Sequence, residues 1–179
     1  MDGPDRTPMD GPERIEGERV VLRRAGAADL PWLHAAAAEP AVAASWDDGT
    51  GTAWVDDLLT DDEVVAYIVE AGGRAVGFAQ WGEEDDPAYR NASIDLFLVT
   101  DAQGAGYGRD VVRTLATWLI RERGHHRIEI DPATTNTRAI RCYEAVGFRP
   151  IGVARRRERG ADGTWRDSLL MDLLADDLT

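Results

Sequence analysis

The sequence predicts a single α/β (α+β) domain in which helices cover both faces of a mixed β-sheet. Three observations point there. Apolar runs of strand length alternate with amphipathic stretches of helix length, as in strand–helix–strand units. Residues 94–148 read, in order, as strand, glycine-rich turn, helix, strand, Asn and helix. The chain has 179 residues, 44% of them hydrophobic, which suits one domain with a sizeable core.

The elements follow in chain order. Residues 1–14 are rich in Pro, Gly and charge and repeat Met-Asp-Gly-Pro at Met1 and Met9. They read as a disordered tail, with the domain running over residues 15–179. A first strand covers residues 19–24. Asp29 stands where it can N-cap a helix over residues 30–38, with Pro31 in the first turn. Residues 46–52 form a loop of Asp, Gly and Thr after Trp46. Residues 53–59 form a short helix with Trp54, Leu58 and Leu59 on one side. Residues 64–70 and 75–81 make a hairpin about Gly72-Gly73.

Residues 82–91 are an acidic loop carrying Glu83, Glu84, Asp85 and Asp86. Residues 94–99 are almost continuously apolar, as a buried central strand should be, and only Asp95 interrupts them. A helix over residues 110–123 and a strand over 127–130 follow. Residues 137–145 form the next helix, and residues 151–157 and 165–173 form a closing hairpin at the sheet edge.

The net charge is −13, and every cationic side chain apart from His is Arg. Such a balance argues against a nucleic-acid partner, because the phosphate backbone demands a basic face. It favours a cationic small-molecule partner; plain solubility is the alternative explanation. No apolar run can span a bilayer, and the N-terminus lacks a signal pattern, so a cytoplasmic protein without a membrane partner is expected. The single Cys142 excludes an internal disulfide; it reads as a small buried residue, with a nucleophilic role the rarer alternative. His34, His125 and His126 lack ligand spacing with other donors, so no metal is expected.

Gln103-Gly104-Ala105-Gly106-Tyr107-Gly108 lies between a strand and a helix. A turn that presents backbone N–H groups at a helix start is an anion site, and glycines let the anion approach. A lone Q-x-x-G-x-G carries little weight. It gains weight here from Ser93-Ile94-Asp95 before it and Ile130-Asp131-Pro132 after it. Asn136-Thr137-Arg138-Ala139-Ile140-Arg141-Cys142-Tyr143-Glu144 and Val146-Gly147-Phe148 then follow.

Together these residues resemble the acetyl-CoA-binding core of the GNAT superfamily of N-acetyltransferases. Within it they are most similar to the aminoglycoside 6′-N-acetyltransferases, with kasugamycin-type acetyltransferases as near relatives. The resemblance covers roughly residues 19–174. It implies a GNAT fold: a mostly antiparallel sheet, splayed at the cofactor site. It further implies acetyl-CoA as cofactor, its pyrophosphate held by Gln103, Gly104, Ala105, Gly106, Tyr107 and Gly108. Arg109 adjoins the turn and can add charge, or be a solvated helix residue. Leu98 and Val99 offer backbone N–H groups to the thioester carbonyl. Asn136 contacts the pantetheine arm, caps its helix, or does both.

The resemblance assigns two catalytic groups. Tyr143 is the acid that protonates the departing thiolate, the alternative being a core Tyr. Asp95 is the base, or the anchor for the reacting ammonium, the alternative being an outward-facing strand residue. A carboxylate inside an apolar strand is costly without a partner or a task. The family's Gly before this Asp is Ser93 here.

For the acceptor, Trp46, Asp47 and Asp48 match a loop that meets a sugar ring, with core packing as the alternative for Trp46. Glu84 and Asp86 offer an acidic lip, or a plain solvated loop. Asp131, unless it is only a turn residue, and Glu158 match family carboxylates that meet amines. The adjacent tryptophans of the closest relatives are missing. The expected function is acetyl transfer to an aminoglycoside amine, the 6′-amine favoured, directly within a ternary complex. The alternatives are kasugamycin, a protein N-terminus, another small amine, or a non-catalytic acyl-CoA sensor. Monomer and homodimer are both open.

Overall fold

The computed structural model describes residues 9–46 and 49–178. Its element order is β1 (Arg14–Glu16), β2 (Val21–Arg24), α1 (Leu30–Ala37), α2 (Pro40–Trp46), α3 (Trp54–Asp57), β3 (Val65–Ala71) and β4 (Arg74–Glu84). There follow β5 (Asn91–Leu98), α4 (Tyr107–Arg121), β6 (Arg127–Ile130), α5 (Thr137–Glu144), β7 (Arg149–Arg159) and β8 (Trp165–Leu174). Residues 9–13 lead into β1, and Met9 packs against the core. Among the described residues no helix is long and apolar enough to cross a membrane.

The strands form one open eight-stranded sheet, ordered β1-β2-β3-β4-β5-β6-β8-β7. Every neighbouring pair is antiparallel except β5 and β6. That parallel pair registers only Ala92 with Ile128 and Ser93 with Glu129. Beyond those residues the strands separate, because the chain after β6 follows β8 instead. Leu169 N–H donates to the Pro132 carbonyl at 2.8 Å, and Thr134 N–H to the Asp167 carbonyl at 2.9 Å. The result is the expected splay, a gap in the sheet at the C-terminal end of β5.

Helices cover both faces. In β4, Phe78 packs against Trp46 and Trp54, whereas Trp81 packs against Trp118 of α4. Positions three apart on a strand face opposite ways, so α2 and α3 lie on one face and α4 on the other. α4 buries Val111, Val112, Leu115, Ala116 and Leu119, a stripe of helical period.

Several expectations change. α2 occupies residues 40–45, for which no element was expected, and takes in Trp46, expected in the loop over residues 46–52; Pro40 opens it, where a missing N–H costs nothing. Asp29 does not cap α1 through its side chain; it accepts from Gly26 N–H and binds Arg23 at 2.7 Å. Leu59 is exposed, and Val55 is the buried residue of α3. The acidic loop is shorter than expected, because Glu83 and Glu84 belong to β4.

Glu83 is instead a half-buried anchor. Its carboxylate accepts from Arg123 at 2.6 Å and binds His125 Nε2 at 2.8 Å. Arg123 also lies over the Trp81 ring. Desolvation and Arg90 hold the His125 pKa down, while Glu83 pulls it up. A folded-state pKa below the unfolded value means this contribution is complete at neutral pH and lost as the pH falls below about 6.5. Glu83→Ala is expected to destabilise the protein by roughly 2–4 kcal/mol, because it leaves a guanidinium and an imidazole without their carboxylate. Denaturant melts at pH 7 check this, and a wild-type midpoint would show that the cluster contributes nothing.

Candidate active site

The separation of β5 and β6 opens a cleft of about 780 Å³, within the usual range for small-molecule sites. Its walls come from α2, β5, the glycine turn, the start of α4, α5 and the residues after β6, with further lining from β7 and β8.

The glycine turn stands at the start of α4. Gly104 and Gly106 have φ of 80° and 86°, a left-handed backbone that a residue with a Cβ rarely adopts. Gly106 leads into the first turn of α4, whose leading N–H groups have no partner inside the helix. Gln103, Gly104, Gly106, Gly108 and Arg109 line the cleft, but Ala105 and Tyr107 do not. Those two face an outer brace. Arg19 donates to the Ala105 carbonyl at 2.6 Å and lies over the Tyr107 ring. Asp110 accepts from the N–H groups of Glu18, Arg19 and Val20, which fixes that brace to α4. Gln103 turns its amide to the Leu98 carbonyl at 2.9 Å, tying the turn to the end of β5.

Val99 is corrected. Its N–H donates to the Val76 carbonyl at 3.0 Å, so it serves β4 and not the gap. Because N–H groups alternate sides along an antiparallel strand, those of Leu98 and Leu96 face the gap. Leu96 was missed at the sequence level, although the same alternation could have found it. Asn136 lines the cleft and also caps α5, its Oδ1 accepting from Ala139 N–H at 3.1 Å.

Asp95 lies half-buried in the cleft wall and accepts from Gln80, its cross-strand neighbour, at 3.3 Å. Desolvation raises its pKa; the Gln80 bond opposes this and Asp131 adds to it. Tyr143 is buried at the cleft, its ring against Phe148. Burial pushes its phenol well up, and the charges of Cys142, Asp95 and Asp131 push it further. Asp95, Asp131 and Tyr143 are thus electrostatic neighbours. Cys142 lines the cleft with its thiol pKa raised by burial, so it is not an activated nucleophile.

Of the expected acceptor residues, Trp46, Asp131 and Glu158 line the cleft. Trp46 stands edge-on to Phe97 at 5.2 Å, so one aromatic wall comes from both. Asp131 is held by Arg157 at 2.5 Å. Glu84 and Asp86 do not reach the cleft; Glu84 accepts from Asp86 N–H and Asp86 from Ala88 N–H, a self-contained turn. Asp47 and Asp48 lie outside the described residues. Ala41, Ser45 and Ser168 also line the cleft, and no sequence signal marked them. His34 binds Thr52 and Asp56, away from the cleft.

The model of the Acetyltransferase (GNAT) family matches residues 29–148. Among curated proteins, an aminoglycoside N(6′)-acetyltransferase type 1 from Klebsiella pneumoniae is 35% identical over 111 residues, 55% of this chain and 54% of that protein. The match thus spans about half the length of that relative. The solved structure of AAC(6′)-Ib with ribostamycin and coenzyme A is 26% identical, with a TM-score of 0.74 over 89% of this chain and 96% of that one. The RimJ protein of Mycobacterium smegmatis, solved with CoA-disulfide, superposes with a TM-score of 0.83 at 24% identity, over 93% of this chain and 90% of that one. At that identity it shows a shared fold.

Proposed function

The chain belongs to the GNAT acetyltransferase family, and from that premise we propose that it is an acetyl-CoA-dependent N-acetyltransferase acting on an aminoglycoside-type amine, the 6′-amine favoured. The observation that carries this reading is the convergence of Asp95, Asp131 and Tyr143 in a cleft that also holds an anion-binding turn. The 35% identity to an aminoglycoside N(6′)-acetyltransferase supports the choice of acceptor.

The cleft fits acetyl-CoA. The N–H groups at the start of α4 suit a pyrophosphate, and the backbone edge of β5 suits an amide-containing arm. The bound cofactor would supply an acetyl group as a reactive thioester. Leu96 and Leu98 would offer N–H donors to its carbonyl oxygen. Asp95 would hold the acceptor ammonium and take a proton from it, directly or through water, a task helped by its raised pKa. Overall the ammonium gives up two protons, one to the departing sulfur and one to solvent.

Tyr143 would donate a hydrogen bond to that sulfur. Its raised pKa makes it a weaker acid than a free phenol, so its contribution is as a donor that stays protonated. Asp131 and Glu158 would meet further amines, and the Trp46–Phe97 wall a sugar ring.

The test is thiol release from acetyl-CoA against a panel of amines. It includes aminoglycosides with and without a free 6′-amine, kasugamycin, and a peptide with a free N-terminus. Turnover confined to compounds with the 6′-amine is expected. Turnover with kasugamycin or the peptide alone would move the acceptor, and no turnover with any amine would return the chain to a cofactor-binding role.

A further inference from the structure

Arg109, Arg138 and Arg141 line the cleft and are exposed. Some other arginines are engaged: Arg23, Arg74, Arg123 and Arg127 each hold a carboxylate. These three make no hydrogen bond or ion pair among the described residues, in a chain of net charge −13. Arg138 and Arg141 stand three apart on α5, so they are neighbours on one helix face. Arg109 reaches the same region from α4, since Arg109 and Arg138 both act on the Cys142 thiol. The cleft carboxylates Asp95, Asp131 and Glu158 come from other elements, and there the cleft arginine Arg157 is already paired with Asp131.

The backbone turn accounts for one anionic group without side chains. It leaves the guanidiniums of α5 with no task. A phosphate monoester has near-double charge and several acceptor oxygens, which two guanidinium forks can meet with paired charge-assisted hydrogen bonds. We propose that Arg138 and Arg141 form a second anion subsite, which takes the 3′-phosphate monoester that distinguishes coenzyme A from dephospho-coenzyme A. The proposal rests on the acetyl-CoA reading above.

The test is titration calorimetry at low salt with coenzyme A and with dephospho-coenzyme A. Wild-type protein is compared with the Arg138→Ala/Arg141→Ala double variant. Wild type should bind coenzyme A about tenfold more tightly or better, an advantage that shrinks as salt rises. The double variant should bind both ligands alike, at the wild-type level for dephospho-coenzyme A. Both side chains are exposed, so an unchanged thermal midpoint is expected, and Arg138→Gln/Arg141→Gln repeats the test at closer to native volume. Equal wild-type affinity for the two ligands would overturn the proposal. So would an equal loss for both in the double variant, which would place the pair on the pyrophosphate. Failure of wild type to bind either ligand would overturn the acetyl-CoA reading itself and the subsite with it.

Discussion

Asp95→Asn is expected to lower turnover by about 10²–10⁴-fold while leaving acetyl-CoA affinity near wild type. The reason is local. Asp95 is a carboxylate of a central strand, bonded to Gln80 and facing the cleft. Burial raises its pKa, and the charge of Asp131 adds to the effect. Such a group accepts a proton more readily than an ordinary carboxylate of pKa about 3.9. The acid limb of kcat/KM should therefore lie above the ordinary carboxylate range, and it should vanish in the variant. A raised folded-state pKa also means that folding favours the protonated form. The associated stability is present at low pH and lost as the pH rises through the folded-state value. At neutral pH the ionised carboxylate costs stability, so the Asn variant should melt at the wild-type temperature or somewhat above it. Inactivity with retained or improved stability is the signature to seek in a paired kinetic and thermal measurement. Wild-type turnover in Asp95→Asn would remove this residue from the mechanism.

Tyr143→Phe should lose about tenfold to a hundredfold in kcat, with the acceptor and cofactor KM values little changed. The ring stays, so its packing on Phe148 survives and stability should hold. Only the hydroxyl donor goes. Because burial and nearby negative charge hold the phenol protonated, the alkaline limb of the wild-type profile should not come from this group. The limb should persist in the variant at the same pH. A limb that moves with the substitution would show that Tyr143 ionises during turnover, and an unchanged kcat would show that another group serves the departing sulfur.

Much of this was legible in the chain. The apolar run interrupted by Asp95, the glycine turn and the Asn136–Tyr143 helix are local patterns. Each depends on neighbours in sequence: pleat alternation, a backbone that only glycine readily adopts, and a helix start with free N–H groups. The Gly72-Gly73 hairpin and the central strand could be read the same way. α2 could not, since its short Ala-rich stretch ends in Trp46 and draws its stability from packing on Phe78 and Phe97. The acidic loop misled because charge alone does not say where a side chain points. Glu83 turns inward to Arg123 and His125, while Glu84 and Asp86 stay in their own turn.

The sequence by itself determined the family, the fold class, the glycine-rich turn and the candidate pair Asp95 and Tyr143. Short-range chemistry writes those features into contiguous residues. Only the tertiary structure decided which carboxylates share the cleft, that Val99 turns away from it, and that Arg138 and Arg141 line it without an ion pair among the described residues. Those outcomes depend on how far β5 and β6 stay paired and where β8 draws the chain after β6. Such long-range pairing is settled by the whole sheet and has no signature in any one segment.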